Sequence, residues 1–217
     1  MSKKKHIKWI VLAILVIIFI TTSVLIKFDK IYKFDNLIYG IISKNINPTM
    51  TKIVKVVTSL ANPITIVIFA LVISIILGII KKDRKAAIIF CINLVIAALF
   101  NYLLKNIFVR ARPEMINIIT ETGYSFPSGH SSIAVAFYGY VIYLINTMNK
   151  NKKVSWISSI GLSILILLIG LSRVYLGVHY ASDIIGGFTS ALSYLIIYIS
   201  IVEKVNIRES KKITGNK

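Results

Sequence analysis

Apolar residues in this chain come in long unbroken runs, not at the period of two or 3.6 that marks a half-buried strand or surface helix. Six stretches carry no charged side chain: residues 9–26, 56–80, 86–104, 131–148, 154–172 and 184–202. A helix rises about 1.5 Å per residue, so roughly 18 to 20 residues cross a hydrocarbon core of ~30 Å. The runs predict an all-α polytopic membrane protein with six transmembrane helices in one bundle. No linker or fixed-period repeat divides residues 1–217 into two domains.

The connections between these runs differ in kind. Residues 28–52 carry Ile31, Phe34, Leu37, Ile38, Ile41 and Ile42 at helical spacing, with lysines and aspartates between them. That pattern predicts an amphipathic helix lying in the membrane interface, and a helix packed on the bundle would show the same face. The connection "KNIFVRARPEMINIITETGYSFPSGH" is long and, in its second half, unlike a membrane helix; "RVYLGVHYAS" is short. By alternation of the spans, both open on one membrane face.

Composition excludes a soluble domain: 56% of residues are hydrophobic and the mean hydropathy is +0.79. A net charge of +18 would suit nucleic acid, but the basic residues sit in short blocks between the spans, and 16 of the 26 fall in alternate connections. This is the pattern of a topology signal, so no nucleic-acid partner is expected. It predicts both termini in the cytoplasm and the two polar connections outside a cell membrane. The start, "MSKKKHIKWIVLAILVIIFITTSVLIK", has a basic region and a long apolar core without a clear cleavage site, and reads as a retained anchor. The single cysteine, Cys91, lies within the third run, so no intramolecular disulfide forms.

Three polar clusters stand on the outer face. Lys105 and Arg112 are seven apart, on one face two turns apart if the third helix continues; basic residues at a helix end also serve lipid headgroups or the helix dipole. Pro127-Ser128-Gly129-His130 precedes the fourth span, where free amide hydrogens attract anions: Ser128 adds a hydroxyl, Gly129 allows close approach, and His130 stands in the first turn to donate a proton. A plain Pro-Ser helix start fits equally well. His179 and Asp183 are four apart, a spacing that sets a carboxylate beside an imidazole, although Asp183 would also serve as a helix cap.

Together the clusters carry a resemblance. The chain resembles the type 2 phosphatidic acid phosphatase superfamily, membrane lipid phosphatases that share an active site with vanadium haloperoxidases, and within it the small bacterial branch with phosphatidylglycerophosphatase and undecaprenyl-diphosphatase activities. The three-part signature matches as "KNIFVRARP", "PSGH" and "SRVYLGVHYASD", with eleven fixed identities in order and at family spacing. Arg110 is an additional basic residue that the signature does not define.

What the resemblance implies is a phosphoric ester or diphosphate hydrolase acting on a lipid phosphate or diphosphate through a phosphohistidine. Lys105, Arg112, Ser128, Gly129 and Arg173 would bind the phosphate, His179 would attack phosphorus, Asp183 would hold its ring, and His130 would protonate the leaving oxygen. No metal or cofactor is expected; beside Asp183 the only carboxylates read near this face are Glu114 and Glu121, too scattered for a two-metal site. The motifs read the phosphate and leave the lipid tail open. A transporter or a non-catalytic scaffold is the alternative, but charges cluster at span ends with none in mid-span, against the pattern of a transport pathway.

Overall fold

The computed structural model describes residues 3–114 and 118–215; Lys217 of the C-terminal basic block lies outside them. Six helical segments are long and apolar enough to cross a membrane: His6–Lys27, Pro63–Ile80, Arg84–Phe108, Gly129–Met148, Lys152–Tyr175 and Ala181–Asn206. The first lies within α1 (Lys3–Lys27), and the second is α4 (Pro63–Ile75) with a π-helical end (Ile76–Ile80). The third is α5 (Arg84–Phe108), the fifth α8 (Lys152–Tyr175), and the sixth the body of α9 (Ala181–Gly215).

The fourth span is composite: α6 (Gly129–Ala134), a π-helical stretch (Val135–Gly139) and α7 (Tyr140–Met148). A π turn frees a backbone carbonyl, which in hydrocarbon must find a donor. Buried Asn93 of α5 supplies it, donating from Nδ2 to the Ala136 carbonyl at 2.9 Å, while Tyr194 of α9 donates its hydroxyl to the Asn93 carbonyl at 2.9 Å. The fourth and sixth spans form the centre of the bundle, 50% and 44% buried against 11% for the first and second. Close approach between them requires Gly187, where a Cβ would lie 2.9 Å from both the Ser128 carbonyl oxygen and Ser131 Cβ. The bundle core gathers Phe90, Phe137, Tyr140, Ile169 and Leu195 from four spans.

Two expectations need correction. The second span begins at Pro63, not Val56. Residues 56–59 end a separate helix, α3 (Pro48–Ser59), and the chain turns through 60–62 before Pro63 takes the first helical position, where its missing amide costs nothing. The interfacial helix of residues 28–52 is α2 (Tyr32–Ser43), ended before Asn47, whose Oδ1 accepts from the Met50 amide and starts α3. α2 packs on the bundle: Ile38, Tyr39 and Ile42 meet Val174, Ala181 and Ile184, while Leu37 and Ile41 face outward.

Lys8 of α1 and Glu203 of α9 pair at 3.2 Å, so the two chain ends share one end of the bundle. The polar clusters lie at the other.

Candidate active site

The site is assembled from two loops and three helix ends. α8 stops in a Schellman motif: Gly177, at φ 76°, donates to the Val174 carbonyl at 3.0 Å and Val178 to the Arg173 carbonyl at 3.2 Å. A side chain at Gly177 would be strained, so the glycine lets Arg173 sit in the last turn of α8 while His179 follows in the loop. Tyr180 then caps α9, and Asp183, three residues in, accepts the Tyr180 amide hydrogen at 2.9 Å, one half of a capping box. The cap and the imidazole partner are the same carboxylate, since Asp183 Oδ2 also lies 3.3 Å from His179 Nδ1.

The "SFPSGHSS" loop is clamped from both sides. The Ser128 amide donates to the Asp183 carbonyl at 3.1 Å, and the Ser125 amide to the Arg110 carbonyl at 2.8 Å. From α5, Asn101 Nδ2 donates to Ser132 Oγ at 2.9 Å. Ser128 is the N-cap of α6, its Oγ accepting from the Ser131 amide and, at 3.0 Å, from the Ser131 hydroxyl, which leaves its own hydrogen to donate. A Cβ on Gly129 would come within 3.9 Å of Lys105 Cε, so these two phosphate-binding candidates are neighbours.

Lys105 and Arg112 do not share a helix face as the spacing suggested. α5 ends at Phe108, Val109 adopts a left-handed conformation with φ 48°, and Pro113 disfavours helical geometry at Arg112. The reversal sets Arg112 between its own loop and the one that holds His179. Its Nε donates to the Gly123 carbonyl at 3.0 Å, Nη2 to that of Thr122 at 3.0 Å, and Nη1 to that of Val178 at 2.8 Å. Nη1 also lies 3.2 Å from His179 Nε2. A guanidinium has no acceptor, so Nε2 is the unprotonated nitrogen and Nδ1 carries the hydrogen shared between Asp183 and Ser125 Oγ, the latter at 3.3 Å. Burial, opposed by Asp183 and aided by the charges of Arg112 and Lys105, holds the imidazole down to about 4.

Lys105 Nζ donates to the Tyr124 and Ser125 carbonyls. Arg173, 1% exposed, donates to Thr58 Oγ1 at 2.8 Å and to Glu121, while its Nε is buried without a partner among the described residues. Glu121 also stands 3.7 Å from Arg112. Burial pushes the Glu121 carboxyl up, and the charge and hydrogen bond of Arg173, with the charge of Arg112, more than reverse it. His130 turns Nε2 to Asn62 Oδ1 at 2.9 Å. Beside it a cavity of about 550 Å³ opens between α4 and α5, lined by Gly129, His130, Ala70, Leu94 and Ala98 among others, and exposed at Val67, Leu71 and Val95.

Several residues at the site were not singled out as candidates from the sequence. Arg110 Nη1 donates to Asp183 Oδ1 at 2.6 Å and to Ser182 Oγ at 2.7 Å, and Nη2 to Asp35 Oδ2 at 2.8 Å. Ser125 donates its hydroxyl to Asp183 Oδ2. Asp35 adds a carboxylate to this face beyond Asp183, Glu114 and Glu121, which corrects the reading that there were only three. Its signal lay in register: with Ile31, Ile38 and Ile42 it falls on one side of α2, an acidic residue on an apolar face. Among the described residues no three of His, Cys, Asp and Glu gather as a metal site would need.

The chain is similar to known proteins. The chain is 35% identical to phosphatidylglycerophosphatase B of Bacillus subtilis over 111 residues, 49% of this chain and 53% of that protein. It is 33% identical to an undecaprenyl-diphosphatase of Sulfolobus acidocaldarius over 129 residues, 55% and 57% of the two. The matched stretches thus span about half the length of these relatives. In three dimensions it superposes on the crystal structure of a transmembrane PAP2-type phosphatidylglycerolphosphate phosphatase from Bacillus subtilis with a TM-score of 0.84 and 25% identity, covering 89% of this chain and 96% of that one. The profile of the PAP2 superfamily covers residues 86–207, a stretch that holds all three signature clusters and more than half of the chain. By that match the chain belongs to the PAP2 superfamily.

Proposed function

We propose that this protein is an integral membrane lipid phosphatase that hydrolyses a lipid phosphate monoester or diphosphate through a phosphohistidine. One observation carries the reading: His179 has its Nδ1 hydrogen tied to Asp183 and its Nε2 lone pair beside the Arg112 guanidinium, where an anion would be held. The phosphate binds among Lys105, Arg112, Arg173, the Ser128 hydroxyl and the Gly129 amide. The partnerless Nε of Arg173 supplies a further donor. Such fixed donors stabilise the charge that spreads over the equatorial oxygens in phosphoryl transfer.

His179 Nε2 attacks phosphorus, the bond to the lipid oxygen breaks, and His130 delivers a proton to that oxygen. Water, relieved of a proton by His130, then attacks phosphorus and the P–N bond breaks, releasing phosphate and freeing Nε2. Asp183 stabilises the positive ring in between. A positioned acid contributes roughly 10² to 10⁴-fold where the leaving group is an alkoxide.

The apolar cavity beside His130 supports a lipid as substrate over a soluble ester. It opens sideways between α4 and α5 at the depth of the hydrocarbon, where an acyl or prenyl chain already resides, so the tail enters without crossing water. The names of the relatives and of the superposed structure support the phosphatidylglycerophosphate and undecaprenyl diphosphate classes. The alternation of basic blocks supports a cytoplasmic-membrane location with termini inside and the site outside.

The test is phosphate release from lipid phosphates by the purified protein, with His179→Ala as the control. The wild type is expected to release phosphate and to trap a labelled phosphoenzyme, and the variant to do neither while remaining folded. Near-normal release by His179→Ala would overturn the assignment.

A further inference from the structure

Arg110 and Asp35 lie outside the signature, yet they enclose the carboxylate that holds the imidazole. Asp35 is 1% exposed, and a carboxylate taken that far from water persists only where donors surround it. Its Oδ1 accepts the Ser182 amide hydrogen at 2.8 Å, and its Oδ2 accepts the Ser182 hydroxyl at 2.7 Å and Arg110 Nη2 at 2.8 Å. The guanidinium is a planar fork. With one prong on Asp35 and the other on Asp183 Oδ1, and its face over the Tyr180 ring at 4.1 Å, it cannot rotate without breaking contacts on both sides.

The consequence falls on Asp183. Its two oxygens are divided: Oδ1 belongs to Arg110, while Oδ2 serves Ser125, the Tyr180 amide and His179. The carboxylate plane is therefore set by Arg110, and the direction in which Oδ2 meets His179 Nδ1 follows from that plane. Among the described residues, the side chains of Arg110 and Asp35 make their hydrogen bonds and ion pairs with each other, Asp183 and Ser182, and none with the imidazole or the phosphate donors.

We infer that Asp35 of α2 and Arg110 form a positioning pair that acts through Asp183 to aim His179 at phosphorus, so that α2, a helix outside the six spans, is part of the catalytic apparatus. This rests on the phosphohistidine reading above. A residue acting on the aim of the nucleophile changes kcat and leaves substrate binding alone, whereas a phosphate ligand changes both.

The experiment measures kcat and KM on the full chain in detergent with a lipid diphosphate the wild type hydrolyses. Arg110→Gln should lose about 100-fold in kcat with KM unchanged, the scale of a misplaced reacting group. Arg110→Lys, charged but unable to span two carboxylates, should recover little of it. Asp35→Asn keeps an acceptor for Ser182 but leaves the Arg110 charge without its buried partner; it should lower kcat by a smaller factor, with KM unchanged and a lower thermal midpoint. In the double variant Asp35→Asn/Arg110→Gln, kcat should be no lower than in Arg110→Gln alone, because the two act in series. Wild-type kcat in Arg110→Gln or in Asp35→Asn, or losses that multiply in the double variant, would overturn the inference. If the wild type releases no phosphate, or His179→Ala still does, the phosphatase reading itself fails, a result distinct from either.

Discussion

Arg112 Nη1 stands 3.2 Å from His179 Nε2, and the same guanidinium holds three backbone carbonyls, two in the loop before the fourth span and one beside His179. One side chain thus ties the two halves of the site together and fixes which imidazole nitrogen carries the lone pair. In the proposed reaction it has the charge to receive a phosphate and the geometry to keep His179 Nε2 unprotonated where that phosphate would arrive.

Replacing Arg112 by Lys tests this double role. A lysine keeps the charge but cannot reach four acceptors in one plane, so the loop and the imidazole both lose their guide. We expect kcat/KM to fall by about 10² to 10³, the usual scale for a lost anion-stabilising donor, with an increase in KM contributing. Steady-state kinetics on one lipid phosphate decides it; a lysine variant as active as the wild type would leave Arg112 with a structural role only.

The pH dependence follows from His179. In the folded protein burial holds the imidazole down to about 4, against an ordinary value of about 6.5. The proposed nucleophile is therefore neutral across the range where a solvent-exposed histidine would become protonated. On the acid side, single-turnover phosphoenzyme formation, corrected for ionisation of the substrate and of His130, whose proton the step also needs, should show no loss from His179 until about pH 5 and then fall towards pH 4. Stability moves with the same shift. Above about 6.5 the ring is neutral in both states; below it the unfolded chain takes up a proton that the folded one refuses, so stability declines as pH falls towards 4, by about 3 kcal/mol in all from this group. A half-point for phosphoenzyme formation at 6.5 would contradict the burial argument.

The six spans were legible because hydrocarbon tolerates no charge over some 18 residues, a demand that leaves its mark residue by residue. The start of the second was misplaced because Val56 to Ser59 also lack charge, for a different reason: they end a short amphipathic helix whose Thr58 reaches Arg173. Asn62-Pro63 held the better signal. The phosphate and imidazole candidates were legible because each cluster is contiguous, whereas Arg110, Asp35, Ser125 and Asn101 take their roles from contacts with residues 31 to 147 positions away. The helical spacing of Lys105 and Arg112 misled because Val109 reverses the chain between them.

The groove between α4 and α5 predicts a chain-length effect. Ala98 lines it and is exposed, so Ala98→Trp fills the groove without crowding the core. The tail moves from hydrocarbon to groove without crossing water, so the effect is one of bulk: the indole occupies the tail's path, and KM for a long-chain lipid phosphate should rise. Hydrolysis of a short-chain, water-soluble phosphate ester should be unchanged, since the cradle is untouched. Equal effects on long and short substrates would place the tail elsewhere.

Gly187 offers a test in which stability and phosphate binding change together with the polar residues left intact. It faces the start of the fourth span, where a Cβ would sit 2.9 Å from the Ser128 carbonyl oxygen and from Ser131 Cβ, with Ser132 Oγ at 3.4 Å. Two of these contacts involve the backbone of the phosphate loop or the first side-chain atom beyond it, so neither yields by a rotamer change. Gly187→Ala should therefore push the loop off α9, at a cost of about 1 to 3 kcal/mol typical of overpacking. The Ser128 amide bond to the Asp183 carbonyl lies in the path of that shift, so Ser128 and Gly129 move away from His179. We expect a lower thermal midpoint together with weaker inhibition by inorganic phosphate, read on the same preparation. A lower midpoint with unchanged phosphate inhibition would mean that the strain is absorbed along the fourth span and that the loop keeps its place by its other anchors, the Arg110 carbonyl and Asn101.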